Sequence, residues 1–291
     1  MNCSPARSVH SGAASRCSSA AGHSRRPVLT LLARLVNASL VVAEPQAGQV
    51  PRYHLLETLR ADALERSRAD GEAVALRERH ATHFAGLAEA AGGHLEGPAQ
   101  GEWLRILARD HENLRTALAW LLTSGAVERG LRLASALWQY WWLSGHVAEG
   151  RDSLATLLAQ VGSDVAPGVH ARALTAAATL ARHQADYTAA QTLGERGLTQ
   201  WRCAADPRGI AGALNHLAIV ALHTARLVKA RELFGRVLRS NRRLADRQVI
   251  ADAIGHLGQI ALYEGEPAQA SELLNQALEQ WRSLGDHHAV C

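Results

Sequence analysis

The sequence predicts an all-α fold: a solenoid of stacked helix pairs, with one small β-hairpin near its start. Self-similarity is the main observation. Ala190-Gln-Thr-Leu193, Ala230-Arg-Glu-Leu233 and Ala270-Ser-Glu-Leu273 lie 40 residues apart, and the small residues Gly145, Ala185, Ala225 and Gly265 keep the same step. Composition points the same way, because Ala, Leu and Arg dominate while Phe and Tyr are scarce, and these residues lose little side-chain freedom in a helix. Small residues at fixed phases supply the third observation. Ala178, Ala218 and Gly258 in one helix of each unit, and Ala190, Ala230 and Ala270 in the other, allow two helices to approach closely.

Taken in order, residues 1–27 form a Ser- and Arg-rich leader with no apolar run to bury, expected to be disordered. Pro27 suits a first helical turn, and Val28, Leu29, Leu31, Leu32, Leu35 and Val36 follow as an apolar helical face. Ser39–Ala43 reads as a strand, 44–51 as a turn or wing, and Arg52–Leu56 as a second strand, followed by a helix over about Thr58–Ser67. These make a unit over 28–70. A helical connector over 71–130 contains Leu76, Phe84 and Leu87, the breaks Gly92-Gly93 and Gly97-Pro98, and then Trp103, Leu104 and Leu107. Residues 131–291 hold the repeats, at about 131–170, 171–210, 211–250 and 251–290, the first of them degenerate. A unit reads as two short helices around a tight loop, for example Ala171–Gln184 and Tyr187–Trp201, with Leu217, Leu257, Phe234 and Leu274 filling the space between helices. One such hairpin cannot bury its own apolar face, so neighbours must stack. Cys291 falls where a further unit would open.

Charge narrows the function classes. The formal charge is +4, but Arg7, Arg16, Arg25, Arg26 and Arg34 lie in an acid-free segment over residues 1–43. Removing those five from the 31 basic residues leaves 26 against 27 acidic groups, so the body is neutral and lacks the basic face of a nucleic-acid module. Cys3, Cys17, Cys203 and Cys291 show no metal-ligand or disulfide spacing, which favours a reducing cytoplasm. The longest apolar stretch, Val28–Ala43, carries Arg34 and Asn37 and falls short of a membrane span.

No catalytic motif is present. His111-Glu112 is followed three residues on by Arg115 rather than completing HExxH, and Lys229, the only lysine, follows Val228 rather than the glycine of a P-loop. His80 and His83 stand one helical turn apart without accompanying ligands and read as a solvated face; His287-His288 reads as an exposed pair. No cofactor is expected.

The spacing and small-residue pattern resemble tetratricopeptide repeats, in a 40-residue variety. Upstream, Leu35-Val-Asn-Ala-Ser-Leu-Val-Val42 and Arg52-Tyr-His-Leu-Leu-Glu-Thr-Leu-Arg60 look like the end of a winged-helix domain. Arg79-His80, His111-Glu-Asn-Leu-Arg-Thr-Ala-Leu118 and Leu137-Trp-Gln-Tyr-Trp-Trp142 resemble the segments that follow it. Together, over residues 28–291, they are similar to the C-terminal region of bacterial STAND-type (NB-ARC) regulatory ATPases, which include LuxR-like and SARP-like transcriptional regulators. The resemblance implies a winged-helix remnant followed by a sensor, without the ATPase core. It also places His54 where related proteins direct a histidine at nucleotide phosphates, and it departs from the family at Asp62, near which an aromatic residue is usual.

In tetratricopeptide stacks the first helix of each pair lines a concave groove. That phase brings Arg172, Arg182, His183, Asn215, His216, His223, His256, Gln259 and Tyr263 toward it. Arginine, amide and imidazole donors suit an acidic or carboxylate-bearing ligand, either a protein or peptide partner or a small inducer. Trp138, Trp141 and Trp142 read as core packing in the degenerate first repeat, with a binding hot spot as the other reading. The expected function is therefore a non-enzymatic sensor scaffold. Two readings stand beside it: DNA binding through residues 28–67, and a gene fragment with no independent role.

Overall fold

A computed structural model describes residues 22–44 and 51–284. Most of the turn expected over 44–51, the His287-His288 pair, Cys3, Cys17 and Cys291 lie outside the described residues. The chain divides into a small unit ending at Leu76 and a larger one from Arg77 onward.

The small unit runs α1 (Gly22–Asn37), β1 (Val41–Glu44), β2 (Arg52–Leu55) and α2 (Glu57–Ala69). The two strands pair antiparallel from Val41 opposite Leu55 to Glu44 opposite Arg52. β1 opens at Val41, two residues later than predicted, because Ser39 takes the left-handed conformation, φ 57°, that closes α1. α1 itself begins at Gly22, so the leader expected to be disordered is helical over residues 22–27, and Pro27 lies inside the helix rather than opening it. As the sixth residue of α1, Pro27 removes one internal bond, the one its N–H would have given to the carbonyl four residues back.

The larger unit takes in most of α3 (Ala73–Gly92) and continues with α4 (Gln100–Arg109) and α5 (His111–Thr123). Phe84 and Leu107 are buried in its first core, while Leu76 is exposed. His80 and His83 both lie against Phe84, with ring centroids 4.6 and 4.9 Å away. Four helix pairs follow: α6 (Val127–Leu143) with α7 (Val147–Leu158), α8 (Pro167–His183) with α9 (Tyr187–Cys203), α10 (Pro207–His223) with α11 (Leu227–Leu244), and α12 (Arg247–Tyr263) with α13 (Pro267–Leu284). Each first helix has 17 residues and starts 40 residues after the last.

α8 begins a turn before Ala171, where the sequence reading started it. Pro167 and Pro207 sit in the opening turn of their helices, where a missing N–H is no loss. Asp206 caps α10 by accepting from the Arg208 and Gly209 amides, and Asp186 and Asp246 cap α9 and α12 in the same way. Helix ends are equally regular. Ala185, Ala205, Ala225 and Ala245 take left-handed backbone angles, with φ between 51° and 58°, on the same 20-residue spacing as Gly125, Gly145 and Gly265. At Ala185 the amide bonds the Arg182 carbonyl and the Asp186 amide bonds the Ala181 carbonyl, so two of the last carbonyls are satisfied as the chain turns.

The predicted small positions are where helices touch. Gly150, Ala190, Ala230 and Ala270 are buried. A Cβ on Gly150 would stand 2.5 Å from the Trp141 ring and 2.9 Å from Leu180, so only glycine leaves room for that tryptophan. Leu174, Leu214 and Ile254 are buried on one phase, as are Trp201 and Trp281 on another. Trp201 also donates to Thr175 Oγ1 at 3.0 Å. Leu274 departs from its expected filling role. It is 37 % exposed, whereas Phe234 at the equivalent position is covered by α12.

Candidate functional site

The expected groove residues lie on the first helices of successive pairs, mostly in their last two turns. Arg182 and His183 end α8, Asn215, His216 and His223 lie on α10, and His256, Gln259 and Tyr263 lie on α12. Arg182 occupies the centre electrically. It donates to His183 Nε2 at 3.1 Å, while its own Nε is buried without a partner among the described residues. Burial lowers the Arg182 pKa below its ordinary value.

Burial, and secondarily the Arg182 charge, push His183 down to about 4. His216 is also held at about 4, first by burial and then by Arg182 and His183, against the opposing effect of its bond to the Ala190 carbonyl. His256 is lowered chiefly by burial, with His223 and Arg182 adding to it and a bond from its own ring to Gln259 opposing it. One guanidinium therefore acts on three imidazoles from three helices, which are kept neutral near pH 7.

Two neighbours at one phase explain why His216 and His256 behave differently. His216 is 6 % exposed, bonds the Ala190 carbonyl through Nε2 at 3.2 Å, and lies 3.0 Å from where a Cβ on Gly194 would stand. It is a buried packing residue between α9 and α10, which corrects its assignment as an open groove position. The residue equivalent to Gly194 in the next pair is Phe234, and His256 stacks on its ring at 5.0 Å and stays half-buried. Side-chain size at that one position of the second helix sets how deep the imidazole sinks.

The remaining predicted residues divide. Asn215 is half-buried, and its Oδ1 is buried without a partner among the described residues. Gln259 donates to the Tyr263 hydroxyl at 3.2 Å, and Tyr263 is exposed. His223 is exposed and stacks on Tyr187, with centroids 5.5 Å apart. Arg172 is exposed at the other end of α8. His54, on β2 of the small unit, is exposed and pairs with Glu44 Oε2 at 3.2 Å.

Trp142 belongs to the same surface and was assigned to the core by the sequence reading. It is 41 % exposed and stacks on His183, whereas Trp141 is 1 % exposed and Trp138 half-buried. Its signal was available, since Trp142 shares the phase of Arg182 exactly one repeat earlier, but the neighbouring tryptophans masked it. A separate cleft, lined by Leu198, Leu217, Val220 and Leu233 with Arg226 and Lys229 at its edge, lies between α9, α10 and α11 and holds none of the expected groove residues.

Residues 209–289 match the tetratricopeptide repeat family. Proteins named as HTH-type transcriptional regulators in Mycobacterium tuberculosis and Mycobacterium bovis are 34 % identical over 197 residues, which is 64 % of this chain and 22 % of theirs. The chain thus spans about a fifth of the length of the curated relatives it matches. Among solved structures, BtubC from P. vanneervenii aligns with a TM-score of 0.53 at 15 % identity, over 78 % of this chain and 94 % of that one. A STAND protein with a tetratricopeptide repeat sensor from Pyrococcus horikoshii aligns with a TM-score of 0.50 at 12 % identity, over 89 % of this chain and 47 % of that one. At these identities the structural likeness shows the fold alone, a tetratricopeptide-like helical solenoid.

Proposed function

We propose that the chain is the sensor region of a STAND-type transcriptional regulator, a non-enzymatic cytoplasmic scaffold whose repeats bind an acidic or carboxylate-bearing peptide, protein segment or small inducer. The observation that carries this reading is the convergence of Trp142, Arg182, His183 and His256 on the first-helix face, with one guanidinium nitrogen left without a partner among the described residues. A cation kept partly out of water gains more from an incoming carboxylate than an exposed one does, because screening is weaker there. The mycobacterial relatives support the transcriptional setting, and the Pyrococcus structure supports the pairing of such repeats with a sensor role. In an intact regulator the ligand would bias resting and active states through its different affinity for the two.

Calorimetry on the full chain tests this with a panel of acidic, amide-capped neutral and basic peptides of equal length. The expected result is salt-sensitive binding of acidic peptides that Arg182→Met weakens at least about tenfold, the loss of a charge-assisted bond. Equal binding of all three classes, or binding indifferent to Arg182, would sink the proposal. Retention of duplex DNA by residues 28–67 alone would move the function to the small unit.

A further inference from the structure

We propose that His111, His146 and Glu149 form a binding site for a divalent transition-metal ion of the zinc class. The three residues come from different elements. His111 opens α5, His146 precedes α7 in the turn after α6, and Glu149 lies in the first turn of α7. Their donor atoms all lie within 4.8 Å of one another. His111 Nε2 and Glu149 Oε2 are 3.2 Å apart, close to the ~3.4 Å that separates two ligands of a tetrahedral ion bound at ~2.0–2.1 Å. The His146 ring lies nearly parallel to that of His111, with centroids 4.4 Å apart, and is exposed, so rotation about its side-chain bonds can bring a nitrogen to the same point.

The surroundings match a metal site more closely than a simple ion pair requires. The Tyr140 hydroxyl lies 3.1 Å from His111 Nδ1, the nitrogen facing away from Glu149. An outer partner of that kind fixes ring orientation and tautomer in metal-ligating histidines. With Nδ1 carrying the proton and the Tyr140 oxygen accepting it, Nε2 is free to ligate. Arg115 Nε faces the other carboxylate oxygen, Glu149 Oε1, at 3.7 Å, which leaves Oε2 for the ion. Two imidazoles and one carboxylate, with no thiolate, select zinc, cobalt or nickel over magnesium or calcium and over copper(I), and leave a position for water. The bound ion would tie α5 to the first helix pair.

The test uses the full chain, stripped with chelator and carrying His287→Ala and His288→Ala to remove a competing imidazole pair, titrated with Zn2+ by calorimetry and with Co2+ by visible absorption. The expected result is one ion per chain, a Co2+ band of four-coordinate intensity, and a melting temperature that rises with Zn2+. His146→Ala, which alters an exposed side chain, should weaken binding at least tenfold while leaving the circular dichroism spectrum unchanged; Glu149→Gln should do the same, and Tyr140→Phe should cost about tenfold through the outer contact. Absence of one-to-one binding up to millimolar Zn2+, or affinity unchanged in His146→Ala, would overturn the proposal.

Discussion

Trp142 stacks on His183, with ring centroids 4.3 Å apart and planes 22° from parallel, joining the end of α6 to the end of α8. The stack covers one face of an imidazole whose neutral form is favoured by burial. Trp142→Ala should therefore raise the His183 pKa toward the ordinary histidine value, read from its ring proton shift in an NMR titration. Because the tryptophan is 41 % exposed, the stability loss should stay near 1 kcal/mol, against about 3–5 kcal/mol for Trp141→Ala in the core. Equal losses in urea unfolding would contradict the division between these adjacent residues.

Arg182 should behave as a shared electrostatic source. Its charge lowers His183, His216 and His256 together, although burial is the larger cause in each. Arg182→Met should raise all three titrations in one variant. A change confined to His183 would mean that the field does not reach α12.

His216 should make stability depend on pH in one window. Its folded pKa of about 4 lies below the unfolded value near 6.5, so the unfolded chain binds the proton more readily as pH falls. Its contribution is fully present above about pH 6.5 and is lost progressively toward pH 4, where the penalty reaches about 3 kcal/mol. His216→Asn should flatten this part of the stability profile, measured by denaturant midpoints between pH 4 and 7.5. An unchanged slope would assign the acid sensitivity to other groups.

How much of this was legible can be argued from particular residues. The 40-residue phase carried the architecture, because the same small residue recurs wherever two helices must approach: Gly150, Ala190, Ala230 and Ala270 are all buried. The same phase put Arg182, His183 and His256 on first helices of their pairs, where the structure has them. It failed at His216, since depth depends on Gly194 in the preceding helix and not on the histidine's own position. It also failed at His111, His146 and Glu149, which meet through tertiary packing of a connector helix that has no place in the repeat. The start of α8 was misread by a turn, because its regular apolar phase shows only after Pro167 has opened the helix, whereas α9 starts at Tyr187 as read.

The helix ends should be improvable without touching any face of the solenoid. Ala185 and Ala225 adopt φ of 58° and 54°, where the Cβ crowds the backbone at a cost of roughly 1–2 kcal/mol. Glycine relieves that crowding but gives back about 0.5–1 kcal/mol as the more flexible unfolded chain. Ala185→Gly and Ala225→Gly should each stabilise by about 0.5–1 kcal/mol, and should add, since they close different helix pairs. Gly150→Ala is the converse case. Its conformation is helical, so alanine would gain about 1 kcal/mol of propensity if space allowed. The new methyl, however, would lie 2.5 Å from a Trp141 ring that is itself only 1 % exposed. Overpacking of about 1–3 kcal/mol should outweigh the propensity gain, so Gly150→Ala lowers the thermal midpoint where the two terminal substitutions raise it. A midpoint raised by all three would mean that the tryptophan can shift, and that the small-residue phase reflects helix propensity rather than close approach.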